Sequence, residues 1–205
     1  MTAPDDGPAT PGWDWITAEY EFAGLIFVRG ARPERLIEVV GADPAAGVPL
    51  TAEVAYQMFS YPWIRVGRVG EWAFAINDSM VDLEGPALEL STGSEVARFE
   101  MGVNADYFYF YADGVTVTEF EPLMAYYRSG TDPDRFLASM REAGLSVDPP
   151  ADADDGGTDL ERNPRIALLD MLTLALGIKI PREVGLGRLL TFQPDEPEPR
   201  GWAVH

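Results

Sequence analysis

Hydrophobic and polar residues alternate through the middle of the chain, as they do in strands that bury one face. The alternating segments are 63–69, 71–77, 95–101, 106–112 and 115–121. Gly70 separates the first two, and Asp113-Gly114, a dipeptide typical of type I′ hairpin turns, separates the last two. Gly67 is assigned to a turn in which a positive φ favours glycine. The pattern predicts an antiparallel meander, in which strands that follow one another in the sequence also pair.

Helix signals flank this region, and one apolar run precedes it. Residues 22–28 are almost continuously apolar, which is typical of a strand buried on both faces, although length alone would also allow a helix. Proline or a capping residue at the start predicts helices at 33–40, from 51, at 133–143, at 164–176 and from 181. The predicted fold class is therefore α+β: an antiparallel β-meander of about five to six strands packed by flanking helices.

Composition divides the chain into a core, a linker and two acidic ends. We predict a disordered acidic tail, an α+β core, an acidic Pro/Gly linker, C-terminal helices packed on the core and an extended tail. Their bounds are 1–12, 13–147, 148–161, 162–192 and 193–205. Two points stay open: the oligomeric state, and whether helix 164–176 packs within its own chain or on a second copy.

The formal net charge of −19, from 15 Lys+Arg and 34 Asp+Glu, restricts what the protein can bind. Nucleic acid and anionic membrane surfaces require clustered cations, so the charge argues against both as partners. A solvated acidic surface, a basic protein partner or mimicry of DNA all fit this charge. There is no cysteine, no signal-peptide pattern and no apolar segment of spanning length, so we expect a cytoplasmic protein.

The residue inventory also limits the chemistry. Cysteine is absent and the single histidine is His205, which excludes thiol catalysis, a histidine-based triad within the fold and a His/Cys metal site. We therefore predict no cofactor and no metal centre. A hydrolase built on paired carboxylates stays open, although no pair stands out among so many Asp and Glu residues.

The best candidate surface is the strand 106–112, because its two faces carry different aromatic residues. Phe108 and Phe110 lie on one face, which we assign to the core; Tyr107, Tyr109 and Tyr111 lie on the other. The tyrosines are either buried under a helix, which is the commoner use, or form a platform that contacts a partner.

Arg29, Arg65 and Arg68 are the second set of candidates, since cations are scarce in this chain. Pairing with nearby carboxylates is the commoner use of such residues. The alternative is that they contact an anionic ligand in a pocket.

Four blocks of sequence, in a fixed order, carry a resemblance. They begin with Phe27-Val28-Arg29-Gly30, with Arg65-Val66-Gly67-Arg68, with Leu90-Ser91-Thr92-Gly93 and with Asp113-Gly114. Together they resemble an uncharacterised family of actinobacterial proteins, catalogued as a domain of unknown function, over roughly residues 13–190. The resemblance implies a bacterial, intracellular protein and supplies no catalytic residue.

From composition and the tyrosine strand we expect a non-enzymatic, partner-binding protein, immunity-like or regulatory, that masks a basic partner through an acidic aromatic surface. The alternative is an enzyme or small-ligand binder that uses carboxylates and arginines in a cleft. A deep pocket with converging charges would favour the alternative, and a flat, acidic, tyrosine-bearing face would favour the first hypothesis.

Overall fold

The structure, a computed structural model, describes residues 12–59, 62–77, 83–149 and 162–193. Within these residues the strands are β1 Ala23–Arg29, β2 Val48–Leu50, β3 Ile64–Val69, β4 Trp72–Asn77, β5 Glu95–Met101, β6 Asp106–Ala112, β7 Val115–Phe120 and β8 Leu189–Phe192. The α-helices of the same residues are α1 Asp14–Glu19, α2 Pro33–Glu38, α3 Ala52–Met58, α4 Glu84–Leu90, α5 Leu137–Ala143, α6 Pro164–Leu176 and α7 Arg182–Gly185. Short 3-10 helices occupy Pro44–Ala46 and Pro122–Tyr127.

The strands form one antiparallel sheet in the order β2-β8-β3-β4-β1-β5-β6-β7. The α+β class is confirmed, but the predicted strand number is wrong, because the described residues contribute eight strands. The two strands that the alternation did not reveal are β2 and β8, which pair with each other. They are three and four residues long, and β2 contains Pro49, so neither is long enough to display a period of two.

β1 lies at the centre of the sheet, between β4 and β5. The simple meander is therefore also wrong: the hairpin β3–β4 and the meander β5–β6–β7 are joined through a strand that precedes both in the sequence. Six of the seven β1 residues are buried, which confirms the prediction of a strand covered on both faces.

Helices cover both faces of the sheet and create two hydrophobic cores. The first core joins α1, α5 and α6 to inward residues such as Phe74, Phe99 and Phe108. The second core joins α2 and α4 to residues of the opposite face, including Ile26 and Val66. Helix α6 contacts α5 and α1 of the same chain.

Capping side chains and residues with positive φ explain where two of the helices begin and where one hairpin turns. The side-chain oxygens of Thr51 and Asn163 accept backbone N–H groups at the starts of α3 and α6. Asp113 and Gly114 have φ values of 51° and 77°, which confirms the predicted tight hairpin.

The turn assigned to Gly67 is wrong. This glycine lies inside β3 opposite Phe74. A Cβ added there would come within 2.6 Å of the Phe74 ring and 2.9 Å of Leu189. The position needs a small residue because a neighbouring ring crosses the backbone, not because of its φ.

Most residues of the two predicted tails and of the predicted linker lie outside the part of the chain that the structure describes. Residues 1–11, 150–161 and 194–205 lie outside the described residues, and so do 60–61 and 78–82.

Candidate functional site

β6 presents its aromatic residues to the two cores. Phe108 and Phe110 are buried in the first core, on the face assigned to them. The three tyrosines face the other side of the sheet, where α4 packs against β5 and β6.

The three tyrosines differ in exposure, so the alternative of burial under a helix holds for Tyr111 but not for Tyr107. Tyr111 is only 2% exposed, whereas Tyr107 is 43% exposed and Tyr109 is half-buried between them. The Tyr109 and Tyr111 rings stack, with centroids 6.0 Å apart and planes inclined by 5°. The buried tyrosine thus supports the half-buried one, and the exposed surface of the strand is limited to Tyr107 and Tyr109.

Arg98 of β5 lies beneath these rings. It is opposite Tyr109 in the sheet register, and its guanidinium carbon is 5.1 Å from the centre of that ring. One terminal nitrogen donates to the Glu100 carboxylate, and Nε has no partner among the described residues. Because Arg98 is only 5% exposed, it acts as an internal cation that fixes the position of Glu100 and supports the ring of Tyr109.

Carboxylates surround the two accessible tyrosines. Glu100 lies opposite Tyr107 and Glu119 opposite Tyr109, while Glu84 begins α4 above them. Burial raises the pKa of the Tyr109 hydroxyl, and the negative charges of Glu100, Glu119 and Glu84 raise it further against the opposing effect of Arg98. Burial likewise raises the pKa of Tyr111 to about 12.

We call Tyr107, Tyr109, Glu84, Glu100 and Glu119 the acidic tyrosine patch. The exposed ring of Tyr107, beside half-buried Tyr109 and within a set of carboxylates, forms a surface suited to the ammonium or guanidinium groups of another molecule. The sequence pattern points to the tyrosines but not to the four charged residues around them, Arg98 included. The alternation in β5 and β7 shows on which face Arg98, Glu100 and Glu119 lie. Placing them beside the tyrosines also requires the register between the strands.

Of the three candidate arginines, Arg65 is buried and holds parts of the chain together. It is fully buried, and its terminal nitrogens donate to the carbonyl oxygens of Gly185 and Gly187, each at 2.7 Å. It also donates to the Leu50 carbonyl and the Tyr20 hydroxyl, both at 3.2 Å. Burial lowers the pKa of Arg65, and the contact with Tyr20 opposes that shift. This guanidinium joins β3 to the segment after α7 and is not accessible to a ligand.

Arg29 and Arg68 lie elsewhere on the surface, so the three arginines do not form one site. Arg68 is exposed and donates to the carbonyl oxygens of Gly70 and Ala31. Arg29 stacks on the Trp72 ring at 4.8 Å, and its Nε is 3.1 Å from the Glu95 carboxylate.

Neither a metal site nor a membrane span is found in the described part of the chain. No group of three or more His, Asp or Glu residues is arranged there to hold an ion. None of its helices is both long and apolar enough to cross a bilayer.

One family model matches most of the chain, from α1 to α7. The model of the family of unknown function DUF6461 matches residues 14–184. The chain belongs to this family. The DUF6461 match begins in α1 and ends within α7, so it includes most of both cores and all of the acidic tyrosine patch. No curated protein and no solved structure matches the chain.

Proposed function

We propose that this protein is a non-enzymatic, partner-binding protein of the cytoplasm, immunity-like or regulatory, that masks a basic protein through the acidic tyrosine patch. The observation that carries the proposal is the pairing of accessible tyrosine rings with carboxylates on one face of the sheet. Tyr107 remains 43% exposed although α4 packs against β5 and β6 on the same face.

The patch is organised before any partner arrives. Tyr109 is held by its stack on buried Tyr111 and by Arg98 beneath it. Glu100 is held by its ion pair with the same arginine. A pre-positioned aromatic surface loses little side-chain entropy on binding, and its acidic rim speeds association with a cation-rich surface.

Tyr107 is the residue to change first. Tyr109 stacks on a core residue, so its removal would also alter stability, whereas Tyr107 lies at the exposed end of the strand. Truncation of an interface tyrosine of this kind costs about 1–3 kcal/mol of binding free energy. We therefore expect Tyr107→Ala with Glu119→Gln to weaken binding while the melting temperature changes little, since glutamine keeps a side-chain oxygen that can accept from Ser129.

The experiment compares captures from a lysate of the source cell by three immobilised forms of the protein. These are the wild type, the variant Tyr107→Ala/Glu119→Gln, and the matched control Tyr56→Ala/Glu53→Gln. The control changes one exposed tyrosine and one exposed carboxylate on α3, beside the opposite edge strand β2.

A protein captured by the wild type and the control but not by the patch variant is then purified, and its association rate is measured at rising salt. We expect it to carry net positive charge and to associate more slowly as salt screens the charges. Equal binding by the patch variant and the control, or a partner without net positive charge, would contradict the proposal.

A further inference from the structure

Two exposed apolar residues continue the surface beyond the acidic tyrosine patch, at the end of the sheet where β5 turns into β6. Val103 lies in that turn and is 77% exposed. Phe22 precedes β1 by one residue and is 39% exposed. We call these two residues the apolar rim. Single exposed hydrophobic side chains are common in soluble proteins, so the position of the rim matters more than its exposure.

The strand register places the apolar rim beside the exposed tyrosine of the patch. Ala23 pairs with Met101 across β1 and β5, and Tyr107 is the second residue of β6. β1 and β6 are separated by β5 alone, hence by about 10 Å. Val103 is four positions from Tyr107, which is at most about 14 Å of extended chain. A specific interface covers about 800 Å² of each partner, so one bound molecule can contact both features.

One arginine of α6 fixes the backbone on which the rim is carried. The Arg165 guanidinium donates to both oxygens of the Asp106 carboxylate, at 2.7 and 2.9 Å. It also donates to the carbonyl oxygen of Glu21 at 3.0 Å and to that of Gly102 at 3.3 Å. Each rim residue directly follows one of these two anchored carbonyl groups. A partner therefore does not have to order this backbone when it binds.

The charges around the rim define the kind of partner that fits it. Glu21 is exposed beside Phe22, and Glu100 lies opposite Tyr107. The guanidinium of Arg165 is already paired with a carboxylate. Interfaces combine an apolar centre with charged groups of complementary sign around it. The complementary surface therefore carries aliphatic side chains next to lysine or arginine.

We propose that the apolar rim is the second half of the partner-binding surface, and that it receives aliphatic side chains that alternate with cations on the basic partner. The cations contact the carboxylates and Tyr107, and the aliphatic side chains pack on Phe22 and Val103. This inference rests on the proposed function and adds the apolar chemistry of the partner.

The test is calorimetric titration of the full chain with three blocked synthetic peptides. Arginine alternates with leucine in the first and with serine in the second, so the two carry the same charge. Glutamate alternates with leucine in the third. We expect the arginine–leucine peptide to bind about tenfold more tightly than the arginine–serine peptide, because its leucines are removed from water. The glutamate–leucine peptide should not bind, since the patch repels it.

Three variants assign the preference for leucine to the rim. Val103→Ser should weaken binding of the arginine–leucine peptide about fivefold and leave the arginine–serine peptide unchanged. Tyr107→Ala/Glu119→Gln should weaken both peptides, because it removes contacts with the cations. Val115→Ser is the matched control: this valine is 49% exposed at the hairpin turn at the other end of β6, and its replacement should change neither affinity.

The outcomes separate this inference from the proposed function. Equal affinity for the two arginine peptides, with both affinities lowered in Tyr107→Ala/Glu119→Gln, overturns the rim and leaves the patch in place. The rim is overturned equally if Val103→Ser behaves like Val115→Ser, if it weakens both peptides alike, or if the arginine–leucine peptide shows no saturable binding. Loss of affinity in Val103→Ser but not in Tyr107→Ala/Glu119→Gln would instead contradict the proposed function.

Discussion

Arg65 has a structural role, although a scarce arginine in an acidic chain suggested a site for an anionic ligand. No carboxylate of the described residues pairs with it, and four oxygen atoms from three parts of the chain satisfy its terminal nitrogens instead. Two of those oxygens belong to the backbone around Gly185 and Gly187. The buried cation therefore determines where the segment between α7 and β8 lies.

Replacing Arg65 by methionine, which retains the length and loses the donors, should destabilise the fold strongly. Removal of one partner from a buried charged network costs about 3–5 kcal/mol, because the carbonyl oxygens left behind are buried without donors. Urea unfolding of Arg65→Met measures this loss. Arg68→Met is the matched control on the same strand, and its exposed side chain should change stability by no more than about 0.5–1 kcal/mol. Equal losses in the two variants would show that Arg65 is not a clamp.

The tyrosines of β6 show how neighbours determine the role of a residue. Tyr107, Tyr109 and Tyr111 occupy equivalent positions in the alternation, yet their exposure falls steadily along the strand as α4 covers it. Sequence alone places all three on one face. Only the position of α4 decides which of them can contact a partner.

At the scale of elements, α7 is held by close contact with α1. A Cβ added at Gly185 would come within 2.1 Å of the Trp15 ring, whose indole nitrogen donates to the Ile180 carbonyl. The ring cannot withdraw easily, because it is also packed against Tyr20. The short helix therefore requires glycine at this position for contact distance.

We expect Gly185→Ala to lower the free energy of unfolding by about 1–3 kcal/mol, the usual cost of overpacking a core. Gly85→Ala provides the matched control within α4, since a Cβ there meets nothing within 4 Å. Alanine is favoured over glycine in a helix, but the ring of the following Pro86 crowds a Cβ at position 85. The two effects oppose each other, so this control should change stability by no more than about 0.5 kcal/mol. Chemical denaturation of both variants checks the pair, and a Gly185→Ala protein as stable as the wild type would refute the contact argument.

At the scale of the whole molecule, both cores contain tyrosines that resist ionisation. Burial is the main cause that raises the pKa of Tyr20 in the first core and of Tyr109 and Tyr111 in the second. In the unfolded chain each tyrosine ionises near its ordinary pKa of about 10. The folded protein therefore retains protons that the unfolded chain has already lost.

Stability should fall as the pH rises from about 10 to about 12, since the unfolded state then binds fewer protons than the folded state. The contribution of Tyr111 is complete below its unfolded pKa and disappears as the pH passes its folded pKa of about 12. Urea unfolding at stepped alkaline pH measures the decline, and Tyr111→Phe should make it shallower. A decline of the same steepness in Tyr111→Phe would assign the alkaline sensitivity to other groups.

Much of the local structure was predictable because its causes are local. The hairpin at Asp113-Gly114 follows from residues that tolerate positive φ, and the start of α6 follows from the capping side chain of Asn163 with Pro164 behind it. The alternation of β6 assigned Phe108 and Phe110 to the core for the same reason: successive side chains of a strand point to opposite faces.

The sequence by itself determined the fold class, most element positions, the acidic charge and the residue types on each face of β6. The tertiary structure alone decided that β1 enters between β4 and β5, that β2 and β8 extend the sheet, and that Gly67 accommodates a ring instead of a turn. It also decided which charged groups meet: Arg98 under Tyr109, and Arg35 beside Glu89. These contacts join residues from separate elements, so they depend on strand register and helix placement, which no local pattern encodes.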